Sequence, residues 1–521
     1  MTGIISNLFE EQSNLVKEAR EEIRRVYLSD DRPWVIGYSG GKDSTVVVQL
    51  IFDTLSKMPE NELHKKVYII SSDTLVETPL IIQSINTTLN RVENKALKLG
   101  LPIETHKVQP VIEQSFWVNI IGRGYPSPNQ TFRWCTDRLK IDPANRFVKD
   151  KVDTFGEVIM VLGVREKESR TRANVIKSHS VTGKELMRHS TLSNAFVYAP
   201  IKKFDLDDVW NYLLNNESPW GDDNYELYQL YSESNSGECP LVIDKTVKES
   251  AGSCGNSRFG CWVCTVVNED KALTGFIQNG HDWMKPLLVF RNWLTNIRDD
   301  RTMRMKHRTN GQTYFLPVKT KVIDGIEKII IDKKGSREKD YIPLDNFSII
   351  EKKELKSYIK EHNINLSEGY DPLILIRDED GNLNRFGLGG YTLEARKEIL
   401  TRLLKLQKQL KHPDIENYQL ISELELKEIR KHWFKAGDFE DGLPEITSKI
   451  LDYSIDFEQD DRLVFSQEEL NQLELTCQQE GLDFNLVKKL LMIEKDYSGL
   501  KVKRGLLEDL GSALKQDYLH L

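Results

Sequence analysis

Trp34-Val35-Ile36-Gly37-Tyr38-Ser39-Gly40-Gly41-Lys42-Asp43-Ser44-Thr45-Val46-Val47-Val48 decides the fold. Trp34 to Ile36 is a short apolar run that predicts a buried strand. Ser39 to Asp43 is a tight glycine loop, and Ser44 opens an apolar helix. Strand, glycine loop and helix in that order build a phosphate cradle. Glycines let backbone N–H groups approach oxygens closely, and the helix N-terminus adds about half a positive charge. Lys42 supplies a full charge, and the hydroxyls of Ser39, Ser44 and Thr45 are candidates to bind phosphate or help hold Mg²⁺. Adjacent glycines, with an Asp after the Lys, separate this loop from the G-x-x-x-x-G-K-[ST] type.

Outward from the loop, strands and helices alternate. Residues 8–28 carry apolar positions at helical spacing, and Val67-Tyr68-Ile69-Ile70 reads as a second strand. Pro79 to Leu99 reads as helix, Pro102 to Val108 as extended chain and Val111 to Ile121 as helix. Val158-Ile159-Met160-Val161-Leu162 is a continuous apolar strand of the parallel-sheet kind. The alternation predicts an α/β fold with a doubly wound, mostly parallel sheet. Ligands of such sheets sit beyond the carboxyl ends of the strands, where Ser39, Asp73 and Arg165 fall. Asp73, with Glu77 nearby, is a candidate for Mg²⁺ or ribose and Thr74 for adenosine; a plain Asp-Thr helix cap is the alternative. Gly163-Val164-Arg165-Glu166-Lys167-Glu168-Ser169-Arg170-Thr171-Arg172 places three arginines at a strand end. Guanidinium forks match phosphate and can stabilise charge on the α-phosphate or on pyrophosphate.

The expected organisation has four parts. Residues 1–230 carry the nucleotide domain and 231–310 a Cys-rich then basic segment. A mixed α/β segment follows at 311–400 and a helical extension at 401–521. Cys239, Cys254, Cys261 and Cys264 are spaced C-x14-C-x6-C-x2-C. Four sulfur ligands without a nearby His fit a [4Fe–4S] cluster or structural Zn²⁺, and the irregular spacing with Phe259 and Trp262 favours the cluster. Cys135 stands among Arg133, Arg138 and Lys140, surroundings expected to lower a thiol pKa. It is therefore a candidate nucleophile, with a small buried residue as the plain alternative. The three cations are candidate phosphate or nucleic-acid contacts. Lys285 to Arg308 gathers seven basic residues with interleaved Trp283, Phe290 and Trp293. It reads as a DNA-backbone groove or as an amphipathic helix with a basic face. Gly387-Leu388-Gly389-Gly390 leads to a helix capped by Thr392, a plain cap before it is a second anion site.

The 521 residues carry a net charge of −8, so any nucleic-acid contact must be a local patch. Six cysteines in a chain of this length are too few for a disulfide scaffold, which argues for a reducing, cytoplasmic setting. No secretory signal and no run of about 18 apolar residues is expected to engage a membrane.

Ser39-Gly40-Gly41-Lys42-Asp43-Ser44 resembles the PP-loop of the ATP pyrophosphatases, of the adenine nucleotide alpha hydrolase-like type. G-V-R-x-x-E-S-x-x-R, together with Tyr198-Ala199-Pro200-Ile201 and the Asp205 to Leu213 segment, resembles the sulfonucleotide (PAPS) reductase-like members of that superfamily. With the four-Cys insertion and the long C-terminal extension, the chain resembles the DndC-type sulfurtransferases of DNA phosphorothioation, and the SspD-type equally. That resemblance implies ATP cleavage to AMP and pyrophosphate, with Mg²⁺ and a [4Fe–4S] cluster. A non-bridging oxygen of the DNA backbone would be replaced by sulfur supplied by a cysteine desulfurase, alongside other DNA-phosphorothioation subunits. Lys42, Asp43, Arg165 and Cys135 would be the catalytic residues. Ser39, Gly40, Gly41, Ser44, Thr45, Asp73, Thr74, Gly163 and Arg170 would join Lys42, Asp43 and Arg165 around the nucleotide. The alternatives are a PAPS or APS reductase, a tRNA thiolase, and a nucleotide-sensing DNA-binding subunit without turnover. The reductase chemistry needs a mobile C-terminal cysteine, which Asp517-Tyr518-Leu519-His520-Leu521 lacks.

Overall fold

The apolar run at Trp34 forms β1 (Trp34–Gly37), the hub of a six-stranded sheet. Its other strands are β2 (Val67–Ser72), β3 (Ile103–Val108), β4 (Val158–Val161), β5 (Met187–Arg188) and β6 (Ala195–Tyr198), in the order β3-β2-β1-β4-β6-β5. The pairs among β3, β2, β1, β4 and β6 are parallel, and β5 is an antiparallel edge. Trp34 is in register with Val67 on one side and Ile159 on the other. Connections run one way from β1 to β2 and the other way to β4, so β1/β4 is a switch point whose strand ends open a crevice.

The computed structural model describes residues 2–168, 185–189, 192–234, 259–308, 311–332, 339–457, 465–497, 503 and 505–514. It divides into two compact units, Met1–Ser115 with Pro128–Leu288, and Phe116–Ser127 with Val289–Leu521.

In the first unit the pleat alternates the faces of β1. Val35 joins Tyr68, Ile70, Val158 and Met160 in a cluster with Val148 of the helix Asp142–Phe155. Trp34 faces the other way and meets the ring of Tyr27, from α1 (Thr2–Leu28), edge-on at 5.5 Å. Full burial of such side chains contributes roughly 1.5–3 kcal/mol each, which fixes the register of the strand. The helix Leu206–Asn215 is closed by a capping box between Asp205 and Asp208 and buries Val209, Trp210, Tyr212 and Leu213.

The second unit holds a three-stranded antiparallel sheet of β8 (Lys319–Ile323), β9 (Ile326–Asp332) and β10 (Lys339–Pro343). A four-stranded sheet has the order β11-β12-β13-β7, with β7 Phe315–Pro317, β11 Ser348–Glu351, β12 Ile374–Arg377 and β13 Leu383–Phe386. Helices follow from Leu393. The stretch expected as one helix over Val111–Ile121 is instead a 3₁₀ turn, Ile112–Gln114, and a π turn, Val118–Gly122. Its residues from Phe116 on are core of the second unit: the indole N–H of Trp433 donates to Ile121 O at 2.7 Å and that of Trp117 to Leu420 O at 2.7 Å. The fold is thus α/β with a mostly parallel sheet and a helical C-terminal region. Among the described residues no helix is long and apolar enough to cross a membrane.

Candidate active site

The loop after β1 leads into α2 (Lys42–Ser56), whose first turn lies at the switch point. Gly40 has φ +71, and a Cβ there would sit 2.7 Å from Ile85 Cγ1, so the turn requires glycine. The hydroxyls of Ser44 and Thr45 both donate to Gly41 O, at 2.8 and 3.0 Å, and Ser39 N–H donates to Ser44 Oγ at 3.2 Å. Beyond β4, Gly163 packs on this turn so closely that a Cβ would lie 2.9 Å from the Asp43 carbonyl. That approach carries Arg165 to the helix start. Lys42 Nζ lies 3.0 Å from Asp43 Oδ2, and Arg165 Nε donates to Asp43 Oδ1 at 2.5 Å. Lys42 is 1% exposed and Arg165 3%. Two buried cations meet one carboxylate at a helix N-terminus, the arrangement of an anion site. Arg170 lies outside the described residues.

At the end of β2 the chain turns through Leu75 at φ +65, a strained position for a branched residue. Asp73 fixes that turn, its Oδ1 accepting from Leu75 N–H at 2.9 Å and its Oδ2 from Gln109 at 2.8 Å. Thr74, the candidate adenosine contact, follows it. It is fully buried, and its hydroxyl lies 3.1 Å from Glu77 Oε1 and 3.3 Å from Cys261 Sγ. The Cys261 strip lies against the chain after β2: Trp262 N–H donates to Val76 O at 3.0 Å and Thr78 N–H to Gly260 O at 3.2 Å. Glu77 also pairs with Lys140 at 3.2 Å, and holds the Lys140 ammonium well above its ordinary pKa.

Cys135 and Lys140, expected as a separate constellation, come to this same corner. Burial pushes the Cys135 thiol up, and the charge of Cys264 pushes it further. Thr136 and Lys140 pull the other way and lose. The expected lowering of the Cys135 pKa is therefore reversed, because desolvation outweighs the neighbouring cation. Burial, then Glu77, raises the Cys261 thiol well above the ordinary value. Cys239 and Cys254 lie outside the described residues, and among the described residues no group of three His, Cys, Asp or Glu is arranged to hold a metal. What sequence reasoning missed is that Cys135 belongs with Cys261 and Cys264. The only signal was a lone Cys among cations.

Comparison with known proteins places this geometry. Residues 33–267 match the model of the phosphoadenosine phosphosulfate reductase domain. This part of the chain, a little under half of it, is thus similar to the PAPS reductase domain. An uncharacterized protein, MJ0066 of Methanocaldococcus jannaschii, is 25% identical over 218 residues, which are 42% of this chain and 37% of that one. The chain thus spans little more than a third of the relative it matches. Among solved structures, the FMN adenylyltransferase of Candida glabrata with FMN and an ATP analogue overlaps at TM-score 0.24 and 15% identity, over 39% of this chain and 57% of that one. The U34-tRNA thiolase NcsA of Methanococcus maripaludis, with its [4Fe–4S] cluster, overlaps at TM-score 0.26 and 13% identity, over 47% and 82%.

The geometry around Lys42 adds a residue that the sequence did not single out. Tyr231, from the helix Asn224–Glu233, places its hydroxyl 3.2 Å from Lys42 N–H and its ring 5.3 Å from Lys42 Nζ. Trp210 and Phe259 hold the ring edge-on, at 5.2 and 4.6 Å. The phenol thus accepts from a backbone donor of the anion site. A phosphate that takes this donor must displace the hydroxyl, and one such bond is worth about 1 kcal/mol. Tyr231→Phe is expected to tighten ATP binding about five-fold in calorimetric titration; weaker binding would instead make the hydroxyl a phosphate ligand.

The basic segment 285–308 is the second correction. Most of its cations turn inward: Arg291, Arg298, Arg304 and Lys306 are buried, while Lys285 and Arg308 at its two ends are exposed. Lys306 Nζ donates to the carbonyls of Arg301 and Arg304, at 2.7 and 2.8 Å, and Arg301 pairs with Asp371 at 2.8 Å. Arg304 donates to carbonyls of the Gly387–Gly390 turn. These groups satisfy backbone oxygens inside the second unit and do not make a solvated DNA groove. The Gly387–Gly390 turn serves that packing, and Thr392 caps the next helix by accepting from Ala395 N–H at 3.2 Å.

Proposed function

We propose that this chain is an ATP pyrophosphatase and sulfurtransferase that prepares a DNA backbone phosphate for replacement of a non-bridging oxygen by sulfur. The observation that carries the reading is the Lys42–Asp43–Arg165 cluster at the β1/β4 switch point, one strand away from the thiols beyond β2. The glycine loop would hold the β- and γ-phosphates, and Mg²⁺ would accompany the nucleotide near Asp43 or Asp73. A DNA phosphate oxygen would then bond to the α-phosphorus while the bond to the bridging oxygen breaks and pyrophosphate leaves. Lys42 and Arg165 would neutralise the charge that develops. Sulfur at the sulfide level, drawn from a cysteine desulfurase and a reductant, would bond to the DNA phosphorus, and AMP would leave with the oxygen.

Lys140 offsets thiolate charge near Cys135, Cys261 and Cys264, which supports thiolate ligands here although the described residues alone hold no assembled group of three. With Cys239 and Cys254 these are the candidate ligands, and a cluster there would supply iron able to bind sulfur. Anaerobically purified protein is expected to contain iron and absorb broadly in the visible. Cys261→Ser should lose both, and zinc in place of iron overturns the cluster. The functional test is mass spectrometry of nuclease-digested DNA from cells with the native chain or Lys42→Ala. Sulfur-linked dinucleotides should appear only with the native chain. Labelled sulfur entering RNA instead would move the acceptor to RNA.

A further inference from the structure

With the 285–308 segment turned inward, an acceptor nucleic acid needs another surface, and the first unit offers one. A cleft of about 590 Å³, open to solvent, is lined by Thr131, Phe132, Arg133, Trp134, Thr136, Asp137 and Arg138. We infer that this cleft receives an unpaired nucleotide of a single-stranded nucleic acid, its base on Phe132 and its phosphates on Arg133 and Arg138.

The turn that carries the cleft is built, not loose. Asn129 Oδ1 accepts from Thr131 N–H, Thr131 Oγ1 and Phe132 N–H at 2.9, 2.9 and 2.8 Å, and Asn129 N–H donates to Phe132 O at 3.2 Å. The Thr265 hydroxyl, next in sequence to Cys264, donates to Pro128 O at 2.7 Å and ties the turn to the cysteine strip. This frame leaves Phe132 44% exposed. A single exposed aromatic is ordinary. A fixed one beside two guanidiniums is a stacking platform with phosphate contacts, the combination that binds unstacked bases. Gln114 accepts from Arg138 Nη1 at 2.7 Å and so aims its fork. Asp137 is the one carboxylate on the lining, so the cleft stays net positive on a chain of net charge −8. The base paired inside a duplex has no free face to offer Phe132, which selects a single strand.

Position supplies the link to chemistry. The cleft shares the one helical turn Trp134–Thr136 with Cys135, and Trp134 and Thr136 wall the cleft. A strand seated there would lie one helical turn from the thiols. This inference rests on the reading of the chain as acting on a polynucleotide.

The test is fluorescence anisotropy of labelled oligothymidylate, oligouridylate and a duplex with the full chain, across a salt series. Single strands should bind more tightly than duplex. Phe132→Ala should weaken single-strand binding about ten-fold, while Phe132→Trp keeps it. Arg133→Ala should weaken all single strands alike and lower the salt slope by about one. Stronger binding of oligouridylate would uphold the cleft and overturn DNA as the acceptor. Unchanged binding by the Phe132→Ala, Arg133→Ala double variant, or a preference for duplex, overturns the cleft. Release of AMP and pyrophosphate from ATP by the native chain and Lys42→Ala, measured without oligonucleotide, decides the pyrophosphatase reading separately.

Discussion

Lys42→Ala is expected to cut pyrophosphate release about a thousand-fold. The ammonium lies 3.0 Å from Asp43, which Arg165 holds from its other oxygen, so the three groups carry one net positive charge. Removing Lys42 leaves a neutral Asp43–Arg165 pair at the mouth of the loop. A unit charge about 4 Å from a phosphate is worth about 4 kcal/mol at an effective dielectric constant near 20, and that energy is about three decades in rate. Arginine should not rescue, because Lys42 is 1% exposed and a planar guanidinium needs room that the site does not have. The measurement is chromatographic quantification of AMP and pyrophosphate from purified protein. Activity within ten-fold of the native chain would remove Lys42 from the mechanism, and ADP as product would remove α–β cleavage altogether.

The loop was legible because its parts are neighbours in sequence. A strand, two glycines and a helix start are adjacent, so local patterning alone specifies the backbone turn. The β4 partner was legible for a second reason: in a doubly wound sheet every strand end faces the same way, so Gly163 and Arg165 had to arrive at the same edge. Cys135 beside Cys261 and Cys264 was not legible. More than 120 residues separate them, and only the passage of the Cys261 strip along Val76 and Thr78 brings them together. The basic segment failed for a related reason. Sequence displays charge but not direction, and a buried guanidinium is recognised by the carbonyls it serves. Here those carbonyls belong to Leu388 and Gly389, some 85 residues on.

That inward direction yields the second large effect: Arg304→Met should lower stability by about 3–5 kcal/mol. Burial draws the Arg304 pKa below its ordinary value, yet the group stays charged because its fork fills a ring of carbonyls. Nε donates to Gly389 O at 2.8 Å and Nη2 to Leu388 O at 3.3 Å, with short contacts to Arg298 O and again to Gly389 O. Tyr391 lies below the guanidinium at 5.4 Å. Methionine matches the stem but offers no donor, so the carbonyls of Gly389 and Arg298 would lose these partners in a dry site, at about 1–3 kcal/mol each. Gly389→Ala should be at least as severe, since its Cβ would fall 1.5 Å from His307 O. The backbone pairs Met305 N–H to Gly390 O and Gly389 N–H to Met305 O, at 2.9 and 2.8 Å, mark where the damage should show. Hydrogen exchange should lose protection over 303–308 and 387–396, with a lower unfolding midpoint. Lys285→Ala, at a solvated position of the same basic run, should move neither by more than about 0.5 kcal/mol. An Arg304→Met protein that keeps its midpoint and its protection but loses DNA would return this segment to the surface as a groove.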